Sequence, residues 1–222
     1  MVVPTSIEAQ FRRLDKHLKE LKQFGGGAMS EDESIVAAEI CNSCVLALDK
    51  AMNSVWQTKA TKKEGKGKPN IYFPINMTSR EKLAEKFRAY QMPNMENENP
   101  EIFQLIDSVQ VYRGVKWLSA LHKLAAIRHE EFPKIEKVKS SGIGFGRGQD
   151  LYIKSLVIDE KGQIDFQGYG LNRATGKIEP AIVEVVEEMR SVLKDIGIAP
   201  YSFCESSVTK VKSLISKLYR LL

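Results

Sequence analysis

The chain has 222 residues, 43% of them hydrophobic and 27% charged, with a formal net charge of +5. That length and balance describe a folded globular protein, as one large domain or two small ones, and exclude a disordered chain. No apolar run is long enough to span a bilayer, and the mild basic excess permits an acidic partner without requiring one.

The N-terminal stretch carries charges at helical spacing and lacks the apolar block and cleavage site of a signal peptide, so a cytoplasmic protein is expected. From Ser6 to Gln23, Ile7, Phe11, Leu14, Leu18 and Leu21 recur at steps of three and four and predict an amphipathic helix. The run Gly25-Gly26-Gly27 stops it. A second helix is predicted from Ser30, a capping residue with Glu33 three positions on, through an apolar stripe that reaches Val55. Cys41 and Cys44 form a CxxC inside this helix. No further cysteine or histidine pair has metal-ligand spacing, so the thiols are expected to be small buried residues, and neither metal nor cofactor is called for.

The segment TKATKKEGKGKPN interrupts the pattern with Lys59, Lys62, Lys63, Lys66 and Lys68. It reads as a solvated loop or as an arm that touches phosphates, and it contains no aromatic residue on which a base could stack. IYFPI, Ile71 to Ile75, is a short extended apolar run. Helices follow over TSREKLAEKFRAY, capped by Thr78 or Ser79, over PEIFQLIDSVQ, and over GVKWLSALHKLAAIRHEEFPKI, ended at Pro133, with NMENENP as a loop.

After Lys139 the pattern changes. Glycines 142, 144, 146 and 148 have a spacing of two and precede a strand, unlike a dinucleotide fingerprint, so an extended edge or turn is expected, with Arg147 near a phosphate as the lesser reading. LYIKSLVID and IDFQGYGL predict a β-hairpin turning at Glu160 to Gln163. EPAIVEVVEEMRSVLKDIG reads as a helix with proline in its first turn and Gly197 after its end, and ESSVTKVKSLISKLYRLL as a last helix. The expected fold is mainly α, α+β overall: a helical bundle over 1–138 and a smaller part over 139–222, a hairpin plus two helices packed on the bundle.

His122 and His129 lie on the helix before Pro133. Residues seven apart share a face but stand about 10 Å apart along the axis, too far to share one metal. Arg128 falls within the apolar stripe, where a charge needs a partner such as Asp49 or Glu39. Border histidines with one paired arginine account for this face structurally.

Three landmarks, ALDKAM (Ala47 to Met52), IYFPI, and WLSALHKLAAIRHEEF (Trp117 to Phe132), occur in a meaningful order. The chain resembles a group of bacterial proteins with an ALDH-like segment, an FPI run and a helix of the form L..L..I.KHR, themselves similar to the HEPN superfamily of helical bundles. The resemblance covers about residues 30 to 135. It implies a dimerising bundle which, in active members, is a metal-independent ribonuclease. There an arginine stabilises the phosphorane and a histidine moves the 2′-hydroxyl proton. Carried over, His129 matches the motif histidine. No arginine lies four to six residues before it, and Lys123 is the cation at a fitting distance. Lysine supplies charge but not a bidentate fork. The resemblance therefore implies first a non-catalytic interaction or dimerisation module of a defence or toxin-type system, acting through self-association or a partner protein. A ribonuclease using His129, Lys123, Arg128 and His122 comes second. Nucleic-acid binding, RNA included, through the lysine loop and Arg147 comes third. None of these involves a membrane.

Overall fold

The structure, a computed structural model, describes residues 3–24, 31–61, 67–127, 133–145, 149–158, 164–181 and 183–222. It is mainly helical with a smaller β part. Two compact units are distinguished: residues 1–136 with 191–222, and residues 137–190. The C-terminal helix, expected in the C-terminal part, belongs to the first unit.

The first unit is built around helix α2 (Glu31–Lys59). Val36, Ile40, Cys44, Leu48 and Met52 recur at steps of four, and with Ala37, Cys41 and Ala51 they give this helix a broad buried face, while Glu39, Leu46 and Gln57 are exposed. Its alanines and cysteines let neighbours approach closely. Helix α1 (Thr5–Gln23) lays Ile7, Leu14 and Leu21 against it, a seven-residue repeat with all three buried. Helix α7 (Pro200–Leu221) starts with proline in its first turn and packs Cys204, Val208, Val211, Ile215 and Leu218 on the same core. Each such side chain contributes roughly 1.5–3 kcal/mol by leaving water.

All three cysteines are buried. Cys41 and Cys44 are buried in the core as expected of small helix residues, and Cys204 of α7 joins them, its thiol facing the Ala37 carbonyl at 3.9 Å. Burial pushes the Cys44 thiol well above its usual range; contact with Cys41, then burial, does the same to Cys204. Tyr219 reaches from α7 to Ser54 of α2, with the two hydroxyls 2.7 Å apart.

Helix α3 (Arg80–Ala89) is capped by Ser79, whose hydroxyl accepts from the Lys82 N–H at 3.3 Å. NMENENP, expected as loop, contains the one-turn helix α4 (Met95–Glu98), held by buried Met95. Helix α5 (Pro100–Asp107) ends earlier than the sequence implies. Buried Asp107 accepts from Tyr112 and forms a 2.6 Å ion pair with Arg113. These bonds fold 111–113 into a 3₁₀ turn, which Gly114 leaves at φ 80°. Helix α6 (Trp117–Ile127) buries Leu118, Leu121 and Leu124.

Strands β1 (Ile135–Phe145) and β5 (Val183–Leu193) form a two-stranded sheet; β2 (Gln149–Ile158), β3 (Ile164–Asn172) and β4 (Ile178–Pro180) form the other, in that order. The expected hairpin is present: β2 and β3 pair antiparallel from Gln149↔Asn172 to Ile158↔Ile164, and its turn lies outside the described residues. Glycines 142 and 144 lie within β1, in the extended state expected of them.

The helix expected from EPAIVEVVEEMRSVLKDIG is not one. Glu179 and Pro180 belong to β4, and Val183 to Leu193 is a strand, so of the two helices expected after residue 139 only α7 is present among the described residues. VEVVEEMRSVL is rich in β-branched valine and satisfies either period. Pairing with β1 decided between them. Gly197, expected after a helix, sits at φ 65° in a tight turn that brings Leu193 and Ile198 into a bridge. No helix among the described residues is long and apolar enough to cross a membrane.

Candidate functional site

In the first unit, side chains from several elements converge on the extended segment at Ile71 to Met77. Ile71 and Phe73 are buried while Tyr72 between them is 57% exposed, the alternation of a strand. The segment is outside both sheets, so its backbone groups need other partners. Side chains supply them. Asp49 of α2 accepts the Phe73 N–H at 2.7 Å. Asn53, one turn later, donates to the Ile71 carbonyl at 3.1 Å. The Tyr90 hydroxyl accepts the Tyr72 N–H at 3.2 Å and donates to the Tyr72 carbonyl at 2.8 Å. Gln110 donates to the Pro74 carbonyl at 3.0 Å and accepts the Met77 N–H at 3.3 Å.

Burial raises the pKa of the Asp49 carboxyl; the Phe73 N–H and the charge that His122 can carry act in the opposite direction, more weakly. Asp49, Phe73 and His122 come from the three sequence landmarks, and the fold brings all three into one neighbourhood. Asp49 is thereby a structural acceptor, and His122 on α6 is exposed beside it.

The other predicted residues are dispersed. Lys123 is exposed and pairs with Asp195 at 3.3 Å. Arg128 and His129 lie outside the described residues, as do Lys62, Lys63, Lys66 and Arg147. Of the two carboxylates offered as partners for Arg128, Asp49 holds Phe73, and Glu39 lies 3.6 Å from His17. Lys59 ends α2. Lys68 donates to the Asn53 side-chain oxygen at 2.7 Å, and its ammonium stands 5.1 Å from the centre of the Trp56 ring. The ends of the lysine loop are tied to one residue: the Gln91 carbonyl accepts the Thr61 N–H at 3.0 Å, and its side chain donates to the Gly67 carbonyl at 3.2 Å.

Sequence reasoning missed Asn53, Tyr90, Gln91 and Gln110. Asn53 had a signal, one helical turn after Asp49 on the same face. Among the described residues no group of three or more His, Cys, Asp or Glu could hold a metal ion.

The second unit carries a different feature. Cross-strand pairs Tyr152↔Tyr169 and Leu171↔Ile178 put four apolar or aromatic side chains on one face of the β2–β3–β4 sheet. They are exposed by 55%, 43%, 39% and 71% in that order. The two tyrosine rings stack with centroids 4.8 Å apart. At the rim Asp150 and Arg173 pair at 2.6 Å, which neutralises both charges. On the opposite face Gly168 admits the Phe166 ring: a Cβ there would lie 2.6 Å from that ring and 2.5 Å from the Tyr152 carbonyl.

No family model, curated protein or solved structure matches this chain.

Proposed function

We propose that this chain is a non-catalytic, HEPN-like interaction module that self-associates through its sheet face, in a bacterial defence or toxin-type setting. The carrying observation is the exposed patch of Tyr152, Tyr169, Leu171 and Ile178. A contiguous apolar face of this kind marks an interaction surface. At its rim the charges of Asp150 and Arg173 are paired, so that these two groups set no net charge against a second copy. Of the residues that a nuclease would draw on, Lys123 is paired with Asp195. The bundle and the order of the three landmarks agree with an interaction module, and the setting rests on that resemblance; the sheet face is outside the residues it covers.

Sedimentation equilibrium over a hundredfold range of concentration, wild type beside Tyr169→Lys, tests it. A wild-type dimer that the substitution turns into a folded monomer is expected. A wild type that stays monomeric throughout refutes the reading.

One observation favours a ribonuclease instead: exposed His122 lies beside a half-buried carboxylate, an arrangement that can orient an imidazole. In that reading His129 moves the proton, and Lys123 and Arg128 contact phosphate. Cleavage of a labelled RNA pool in EDTA, lost in His129→Ala, would establish it and displace the interaction module. Plain nucleic-acid binding through Lys59, Lys68 and their loop predicts an affinity that falls steeply with salt.

A further inference from the structure

A cavity of about 500 Å³ opens in the first unit between the start of α6 and the first three turns of α7. It is of the size that takes a drug-sized molecule. Trp117, Ile196 and Phe203 give it an apolar wall, and two cations line it, Lys116 just before α6 and Lys210 on α7. The Lys210 ammonium stands 5.6 Å from the centre of the Trp117 ring. No aspartate or glutamate among the described residues lines the cavity.

Both helices start here. The Lys116 carbonyl accepts the Ala120 N–H at 3.0 Å, and the Ala199 carbonyl accepts the Phe203 N–H at 3.0 Å. Ala199 offers α7 no side-chain cap, so N–H groups of its first turn are without a capping partner from that side chain. The start of α6, two lysines and no lining carboxylate make the cavity attractive to an anion. Its aromatic wall asks for a flat apolar body.

We propose that this cavity binds a small organic anion, its apolar body against Trp117 and Phe203 and its single carboxylate, sulfonate or phosphate group between Lys116 and Lys210. The site is independent of the self-association proposed for the sheet face. No chemical step is implied; Ser206 on the rim offers a further hydroxyl to the anion.

The test is equilibrium binding of 8-anilinonaphthalene-1-sulfonate to the full chain, beside the uncharged N-phenyl-1-naphthylamine. One sulfonate per chain is expected, weakened by about tenfold or more in the double variant Lys116→Gln/Lys210→Gln. The uncharged probe should bind that variant as it binds wild type. Ser206→Trp, which fills the mouth, should remove both. All three positions are exposed, so the variants keep the core intact. The proposal is overturned if wild type binds no sulfonate, if the lysine variant binds it unchanged, or if Ser206→Trp retains full binding. Retention in Ser206→Trp with loss in Tyr169→Lys would place the probe on the sheet face instead.

Discussion

Replacing Asp49 by alanine removes the acceptor of the Phe73 N–H, a 2.7 Å bond to a half-buried carboxylate. Phe73 is 3% exposed, so little water stands ready to take over. A hydrogen bond to a charged group contributes about 1.5–3 kcal/mol, and an orphaned buried donor costs about 1–3 kcal/mol. Asp49→Ala should therefore lose about 2–3 kcal/mol, a fall in Tm of about 5–10 °C for a chain of this length. Asp49→Asn keeps an oxygen in the same place and no longer buries a charge. It should stay within about 1 kcal/mol of wild type at pH 7. The two substitutions also differ in their pH response. Burial raises the folded pKa of Asp49 above its ordinary value of 3.8, so the folded chain takes up this proton more readily than the unfolded chain. The resulting stability is fully present below the ordinary value and is lost as pH rises through the folded value. Wild type should gain on Asp49→Asn as pH falls from 7 towards 4. Urea denaturation followed by circular dichroism at several pH values measures all of this. If Asp49→Asn is as damaging as Asp49→Ala at pH 7, or Asp49→Ala is harmless, the clamp does not hold the segment.

Tyr90→Phe takes away the hydroxyl that both accepts from and donates to Tyr72. It should cost about 1–2 kcal/mol in the same denaturation assay, and a loss below about 0.3 kcal/mol would contradict the bracing role. The three buried thiols, those of Cys44 and Cys204 held protonated, should react with a disulfide reagent only as fast as the chain opens. A fast phase in native buffer would show that the α2–α7 contact opens locally. Gly168→Ala should destabilise the hairpin by about 1–3 kcal/mol, because the new methyl meets the Phe166 ring and a backbone carbonyl. Amide exchange across β2 and β3 reads it, and unchanged protection there would remove the basis for that glycine.

Periodicity with caps and breakers located α1, α2, α3 and α5 to within a few residues of their ends, and found α6 and α7, the latter starting at Pro200, five residues before the expected Glu205. Their burial patterns are local properties of the chain: a stripe at steps of three and four can be hidden only as a helix face. The hairpin of β2 and β3 was legible for the same kind of reason. Val183 to Leu193 was not, because its valines and glutamates fit both periods, and β1, some forty residues earlier, supplied the deciding hydrogen bonds. The functional residues divide in the same way. Asp49, Phe73 and His122 were each visible within a short motif. That Asp49 faces a backbone amide, that Lys123 faces Asp195, and that Gln91 ties both ends of the lysine loop are contacts between distant segments. The exposed sheet face and the cavity between α6 and α7 likewise depend on which strand lies beside which and on where two helices begin. The sequence determined which faces are apolar and which residue types could do chemistry. Tertiary packing alone decided which of those groups are engaged, because a side chain's charge and hydrogen bonds are set by what the fold brings against it.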